Sequence, residues 1–292
     1  MKILLTFFLT LQISFFAQTK GIVVDQNNKP IPYVNIWVEN ENIGTTSEEN
    51  GTFEINTTDK NKILVFSAVG FETKKISMDL SQKVEMKRLI YELNEVVIEN
   101  PKFDKEIEIG DSKNQNFHHW SGKTPDVLVK FFPFQKEYEK TKFIKNVILS
   151  SQSKIKNATF KIRVFYINEN GFPDKDALNE DVVVSVKKGN RKNKIDISNF
   201  KLKIPKEGIF IGFEWIIIES NKFNIKRNNK NLYPQNNDFR FEPCPSLNTA
   251  DKDFVFEYRS GKWHKRSRNI NPEFDFTHNK TIEPAINLTL TN

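Results

Sequence analysis

From residue 21 onward the chain runs in short alternating stretches, each cut off by a strong turn signal. This constrains the fold more than any other feature, because strands tolerate such frequent breaks and helices do not. Gly21-Ile22-Val23-Val24-Asp25 is stopped by Asn27-Asn28-Lys29-Pro30. In Tyr33 to Glu39 the residues Val34, Ile36 and Val38 recur at period two and share one strand face. Glu41-Asn42-Ile43-Gly44 turns the chain, and Thr45-Thr46-Ser47 reads as a short strand. Asn50-Gly51 is a hairpin signal that tolerates the positive φ of a tight turn, and Thr52-Phe53-Glu54-Ile55 alternates after it. Ile63 to Val69 is apolar on both faces, as a central buried strand should be. Lys74 to Met78 and Lys83 to Leu89 bring the total to about seven strands, the number and spacing of a β-sandwich.

The same residues carry a family likeness. Gly21-x-Val23-x-Asp25, Lys29-Pro30-Ile31-Pro32-Tyr33-Val34-Asn35-Ile36, Gly44-Thr45-Thr46-Ser47, Asn50-Gly51-Thr52-Phe53 and Phe66-Ser67-Ala68-Val69-Gly70-Phe71 follow one another across residues 19 to 89. In order and spacing they resemble the carboxypeptidase regulatory-like domain. The resemblance implies a transthyretin-like fold of seven strands in two packed sheets. It also implies a place in the cell envelope, because the module occurs at the N-terminus of TonB-dependent outer-membrane receptors of certain Gram-negative bacteria. Tyr91 to Ile98 resembles the segment that there leads into a plug and barrel. The rest of this chain lacks a train of long barrel strands, so the receptor itself is not expected. The motif residues form turns and scaffold, so the resemblance transfers no active site.

Composition agrees with an all-β chain. Phe occurs 26 times, and aromatic and β-branched side chains suit a pleated surface. Lys and Arg number 44 against 37 Asp and Glu, a net charge of +7. Most of these charges are interspersed. The two dense basic clusters, Lys187 to Lys192 and Lys262 to Arg268, read as solvated hairpin tips and not as a nucleic-acid site.

Residues 1–17 read as a signal peptide. Lys2 supplies the positive start, Ile3 to Phe16 the apolar stretch, and Ala17 a residue to precede cleavage, although Phe15 is large for that rule. No later segment approaches the ~18 consecutive apolar residues of a spanning helix. The expected location is periplasmic, outer-membrane-associated or extracellular, with peripheral membrane association open and no transmembrane span in the mature chain. Cys244 is the one cysteine, which excludes an intrachain disulfide, and its Pro243 and Pro245 neighbours point to a rigid loop holding a structural thiol.

The expected organisation is therefore a signal peptide (1–17), a regulatory-like sandwich (18–90), a polar linker (91–125) and a second β-sandwich (126–292), the last jelly-roll-like. Its strands are read at Val127 to Phe132, Phe143 to Leu149, Ala158 to Ile167, Asp181 to Val186, Lys194 to Ile197, Ile209 to Glu219, Phe254 to Arg259 and Ala285 to Thr291. In Ala158 to Ile167, Phe160, Ile162, Val164 and Tyr166 lie on one side.

Catalytic residues, metal ligands and cofactors are not expected. His118 and His119 would point to opposite faces of an extended chain, and His264 and His278 stand apart, which does not make a zinc site. No Gly-x-Ser-x-Gly elbow is present. Asn168, Asn170, Asp174, Asp176, Glu180 and Asp181 form an oxygen-rich stretch without the spacing of a calcium loop. Trp215 reads as core, whereas Trp263, beside the hairpin Gly261, and Tyr258 are the candidates for stacking on sugar. The leading expectation is a non-enzymatic binding or structural protein whose partner is an envelope protein or an extracellular polymer. The alternatives are a carbohydrate-binding accessory protein using Trp263 and Tyr258, and a hydrolase with an unrecognised site.

Overall fold

A computed structural model describes residues 18–57, 59, 61–89, 100–112, 117–225, 239–268 and 279–292. The expected signal peptide, the Tyr91 to Ile98 segment and His278 lie outside the described residues.

Strands dominate, and the helical elements are single 3-10 turns. The first sandwich has the expected seven strands. Thr52–Asn56, Gln18–Asp25 and Lys83–Met86 form one sheet; Gly44–Thr46, Asn35–Val38, Ile63–Ser67 and Lys74–Ser77 form the other. Period-two patterning does what the sequence implied. In Thr52–Asn56 the buried residues are Phe53 and Ile55, with Thr52, Glu54 and Asn56 exposed. Between the sheets Val23, Val34, Ile36, Val38, Phe53, Ile55, Leu64, Phe66, Val84 and Met86 form one apolar core.

In the second half, one sheet runs in the order Gly189–Asp196, Phe143–Ser153, Ile286–Thr291, Glu106–Ile109. Its partner runs Pro173–Asp176, Ala158–Ile167, Ile209–Trp215, Val127–Phe132, Phe254–Arg259, Lys262–Ser267. Ile144, Val147, Leu149, Leu288 and Leu290 of the first meet Leu128, Phe160, Ile162, Val164, Ile211 and Phe213 of the second in a common core. Trp215 is in that core, as its strand implied. Tyr166 departs from the predicted stripe: it is exposed at the strand's end, beyond the core that takes Phe160, Ile162 and Val164.

Two readings need correction. Glu106–Ile109 falls in the stretch read as linker, yet it is an edge strand paired with Ile286–Thr291. Its Glu-Ile-Glu-Ile pattern half-buries the isoleucines and exposes the glutamates, as an edge requires. Neither basic cluster is a hairpin tip: Lys262 to Arg268 runs along the edge strand Lys262–Ser267, after the Ser260-Gly261 turn, and the exposed Lys187-Lys188 pair lies between strands of different sheets. Val182–Val186 pairs with Ala158–Ile167, whereas Gly189–Asp196 pairs with Phe143–Ser153. The lysines thus mark a corner where the chain crosses from one sheet to the other.

The two sandwiches are packed on each other. Val69, in the motif Ala68-Val69-Gly70-Phe71, is buried among the core residues of the second sandwich. Its burial contributes about 1.5–3 kcal/mol. Gly70, at φ 80°, is what allows this approach: a Cβ there would sit 2.4 Å from the Asn179 carbonyl oxygen. The backbone joins as well, with Thr46 N–H donating to the Ile217 carbonyl at 3.3 Å. In return Ile217 N–H donates to Thr46 Oγ1 at 3.0 Å.

Candidate functional site

A sheet with one face in a sandwich core must do something with the other. In the larger sheet, the residues between the core positions are Lys161, Arg163 and Phe165 on one strand, and Phe210, Gly212 and Glu214 on the next. Register places Lys161 opposite Glu214, Arg163 opposite Gly212 and Phe165 opposite Phe210. Phe210 faces Phe131, and Glu214 faces Val127, which in turn faces Tyr258. The outer face is therefore charged at one end and aromatic at the other.

The charged end is buried beneath the first sandwich. Arg163 holds Asp176 with two nitrogens, Nη2–Oδ2 at 2.8 Å and Nε–Oδ1 at 3.1 Å, and directs Nη1 to Glu214 Oε2. Lys161 Nζ lies 3.0 Å from Asp181 and 3.6 Å from Glu214, and donates to the Tyr33 carbonyl at 2.6 Å. Asn35 Nδ2 completes the cluster by donating to Glu214 Oε1 at 2.9 Å. Burial pushes the Glu214 carboxyl up, but Arg163, Lys161 and the Asn35 hydrogen bond outweigh it and hold Glu214 below the usual carboxylate range. For Asp176 burial wins, and its pKa is raised in spite of Arg163. Asp176 and Asp181 are the core of the oxygen-rich stretch weighed above for calcium, and both are engaged by cations of the chain itself. Asn168 Oδ1 is likewise occupied, accepting the N–H groups of Asn170 and Phe172 at 3.0 Å each.

The aromatic end begins at the module boundary. Trp37 of the first sandwich meets Tyr258 edge-on at 5.6 Å, and Tyr258 meets its cross-strand partner Trp263 at 5.1 Å. Trp263 meets Phe165 at 5.1 Å. Tyr258 and Trp263 are thus half-buried links in an aromatic belt. Their ring planes stand 66° apart, so they do not form a flat stacking surface.

Beyond the belt the face opens into a cleft of about 500 Å³. Its wall is Val129, Phe131, Ile167, Phe210, Phe254 and Phe256, with Lys252, Lys265, Asp253 and Glu207 among its polar residues. The rings brace one another: Phe131 and Phe210 lie 5.1 Å apart, and Phe210 and Phe256 meet edge to face at 5.4 Å and 89°. Phe254 meets Phe256 at 5.4 Å and Phe172 meets it at 4.9 Å. Gly208, at φ 96°, leaves room for this wall, since a Cβ there would lie 2.5 Å from the Phe131 ring. At the back, Glu283 is held between Lys130 at 3.3 Å and Lys252 at 2.6 Å. Apolar walls with a few placed charges are the usual makeup of a small-molecule or side-chain pocket.

The histidines of the sequence lie elsewhere. His119 packs against Trp215 at 5.6 Å, and its pKa falls to about 4, chiefly through burial and then through Arg266 and Arg259. His118 bridges by its backbone to Ser246, and His264 Nε2 lies 3.2 Å from the Arg259 carbonyl oxygen. Cys244 is buried, and burial, followed by the Glu242 charge, pushes its thiol up to about 12. Among the described residues no three His, Cys, Asp or Glu side chains gather to hold a metal ion.

Sequence reasoning missed the cleft. Its residues come from several strands, and the sequence places Phe131, Phe210, Phe254 and Phe256 in those strands without assigning their faces. The signal present was the second apolar set of the larger sheet, Val127, Val129, Phe131, Phe165 and Phe210, which a single-cored sandwich does not require.

Residues 19–98 match the family model of the CarboxypepD_reg-like domain, in agreement with the turn and strand motifs of the first sandwich. The matched span runs past residue 90, the boundary read from the sequence. No curated protein matches the chain.

Proposed function

We propose that this chain is an exported, non-enzymatic binding protein of the cell envelope. The regulatory-like module braces the outer face of the second sandwich, and the phenylalanine-lined cleft beside it receives an apolar group of a partner. The cleft is the observation that carries this reading. A cleft lined by buried Val129, Phe210 and Phe256, half-buried Phe131 and Ile167 and exposed Phe254 has the apolar, concave makeup of a binding pocket. Here it adjoins a face that is otherwise covered by the module.

The envelope location rests on the leader-like residues 1–17 and on the resemblance of the module to the N-terminal extension of outer-membrane receptors. An envelope protein or an extracellular polymer is the expected partner. Among the described residues no helix is long and apolar enough to cross a membrane.

The test is affinity capture from envelope fractions with the wild-type chain, with Phe254→Asp in the cleft, and with Lys156→Glu at an exposed position outside it. A partner retained by the wild type and Lys156→Glu but lost by Phe254→Asp supports the reading. Equal recovery by all three, or by none, overturns it. Fusing the N-terminal segment to a phosphatase that is active only outside the cytoplasm tests export, and an inactive fusion refutes it.

A further inference from the structure

We infer that the phenylalanine-lined cleft is a site for an aromatic monoanion, an aryl carboxylate whose ring enters the cleft and whose charge meets Lys265. This rests on the reading of the cleft as the binding site and adds the chemistry of what fills it.

The charges around the cleft are unequally available. Glu283 is held by Lys130 and Lys252. Asp253 faces Arg268 at 3.3 Å. The Lys265 ammonium, by contrast, rests over rings: 4.3 Å from the centre of Phe254, 5.1 Å from Phe172 and 5.9 Å from Phe256. Among the described residues it has no carboxylate partner. An ammonium over phenyl faces is stabilised by their quadrupoles and keeps donors free for an anion. Exposed Glu207 also borders the cleft, which favours one negative charge on the ligand over two.

The walls favour a ring over a flexible chain. Phe210 and Phe256 stand at 89°, and Phe254 and Phe256 at 82°. A third ring laid against this wall from the open side of the cleft can meet an edge or a face, the two arrangements that aromatic pairs prefer. A planar ligand also has fewer torsions to freeze than an acyl chain, so ordering it costs less.

The test is calorimetric titration of the full mature chain with 2-naphthoate, with the amine of the same shape, 2-naphthylmethylamine, and with decanoate. Naphthoate should bind saturably and at least about tenfold more tightly than the amine, as a charge-assisted contact implies. Lys265→Met, which keeps the packing, should erase that preference, and Phe254→Ser should weaken both naphthyl ligands; melting curves establish that both variants fold. Equal affinity for acid and amine, or a preference that survives Lys265→Met, overturns the assignment of the anion to Lys265 and leaves the cleft as a binding site. Decanoate binding more tightly than naphthoate overturns the aryl assignment. If none of the three binds, this inference falls, whereas the cleft reading is judged separately by the Phe254→Asp capture experiment.

Discussion

Replacing Arg163 with Met isolates the part played by the buried charge cluster in holding the molecule together. The wild-type cluster sets two cations, Lys161 and Arg163, against three carboxylates, Asp176, Asp181 and Glu214. Arg163→Met leaves one cation against three. Asp176 loses its bidentate partner, and Glu214 keeps Lys161 at 3.6 Å and the Asn35 donor. Stranding a buried charge in this way costs about 3–5 kcal/mol. At about 2–4 °C per kcal/mol for a domain of 150–250 residues, that is a fall in Tm of roughly 6–20 °C.

The loss should depend on pH. Without the guanidinium, the folded-state pKa of Asp176, already raised by burial, climbs further, and that of Glu214 rises above its unfolded value. The folded variant then holds protons that its unfolded chain releases, so it is least penalised at low pH and loses stability as pH climbs. Urea unfolding followed by tryptophan fluorescence at pH 5 and pH 8 reads both effects, because Trp37 is buried at the module boundary and Trp215 in the core of the second sandwich. The gap between wild type and variant should be wider at pH 8, and adding Glu214→Gln should recover part of it. A loss under about 1 kcal/mol at pH 8, or a gap equal at the two pH values, refutes the reasoning.

Further consequences concern the module boundary and two titratable groups. Asn35→Ala removes the donor to Glu214 and should cost about 1.5–3 kcal/mol, measured by urea unfolding. Gly70→Ala forces a side chain onto a positive φ at about 1–2 kcal/mol and drives a Cβ against the Asn179 carbonyl, so limited proteolysis should cleave between the sandwiches sooner than in wild type. Burial pushes the Asp126 carboxyl up to about 7, above its unfolded value of about 3.9, while the Thr124 hydroxyl and Arg259 pull it down. The folded chain therefore retains that proton longer, so this contribution is full below pH ~4 and is lost as pH rises towards 7; Asp126→Asn should remove that slope from stability-versus-pH curves. Cys244, with its thiol pushed up to about 12, should resist a thiol-specific reagent until urea unfolds the chain, and prompt labelling of the native protein would contradict its burial.

The sequence alone determined the class of the fold and most of the first sandwich. Period-two alternation and glycine, asparagine and proline breaks are local signals, and Thr52 to Ile55 or Val34-Ile36-Val38 need no partner to be read. Strands such as Val127–Phe132, Ala158–Ile167 and Phe254–Arg259 were legible for the same reason. The tertiary structure decided what the faces do. Lys161 and Arg163 look like the solvent side of an amphipathic strand, yet they lie buried beneath another domain because their counter-charges come from Asp176, Asp181 and Glu214. Val69 reads as part of a module motif and turns out to be core for the other sandwich. The cleft combines Phe131, Phe210, Phe254 and Phe256 from three strands whose adjacency is set by register. Alternation says that a side chain points to one face or the other; which face is buried, and against what, depends on contacts between residues far apart in the chain.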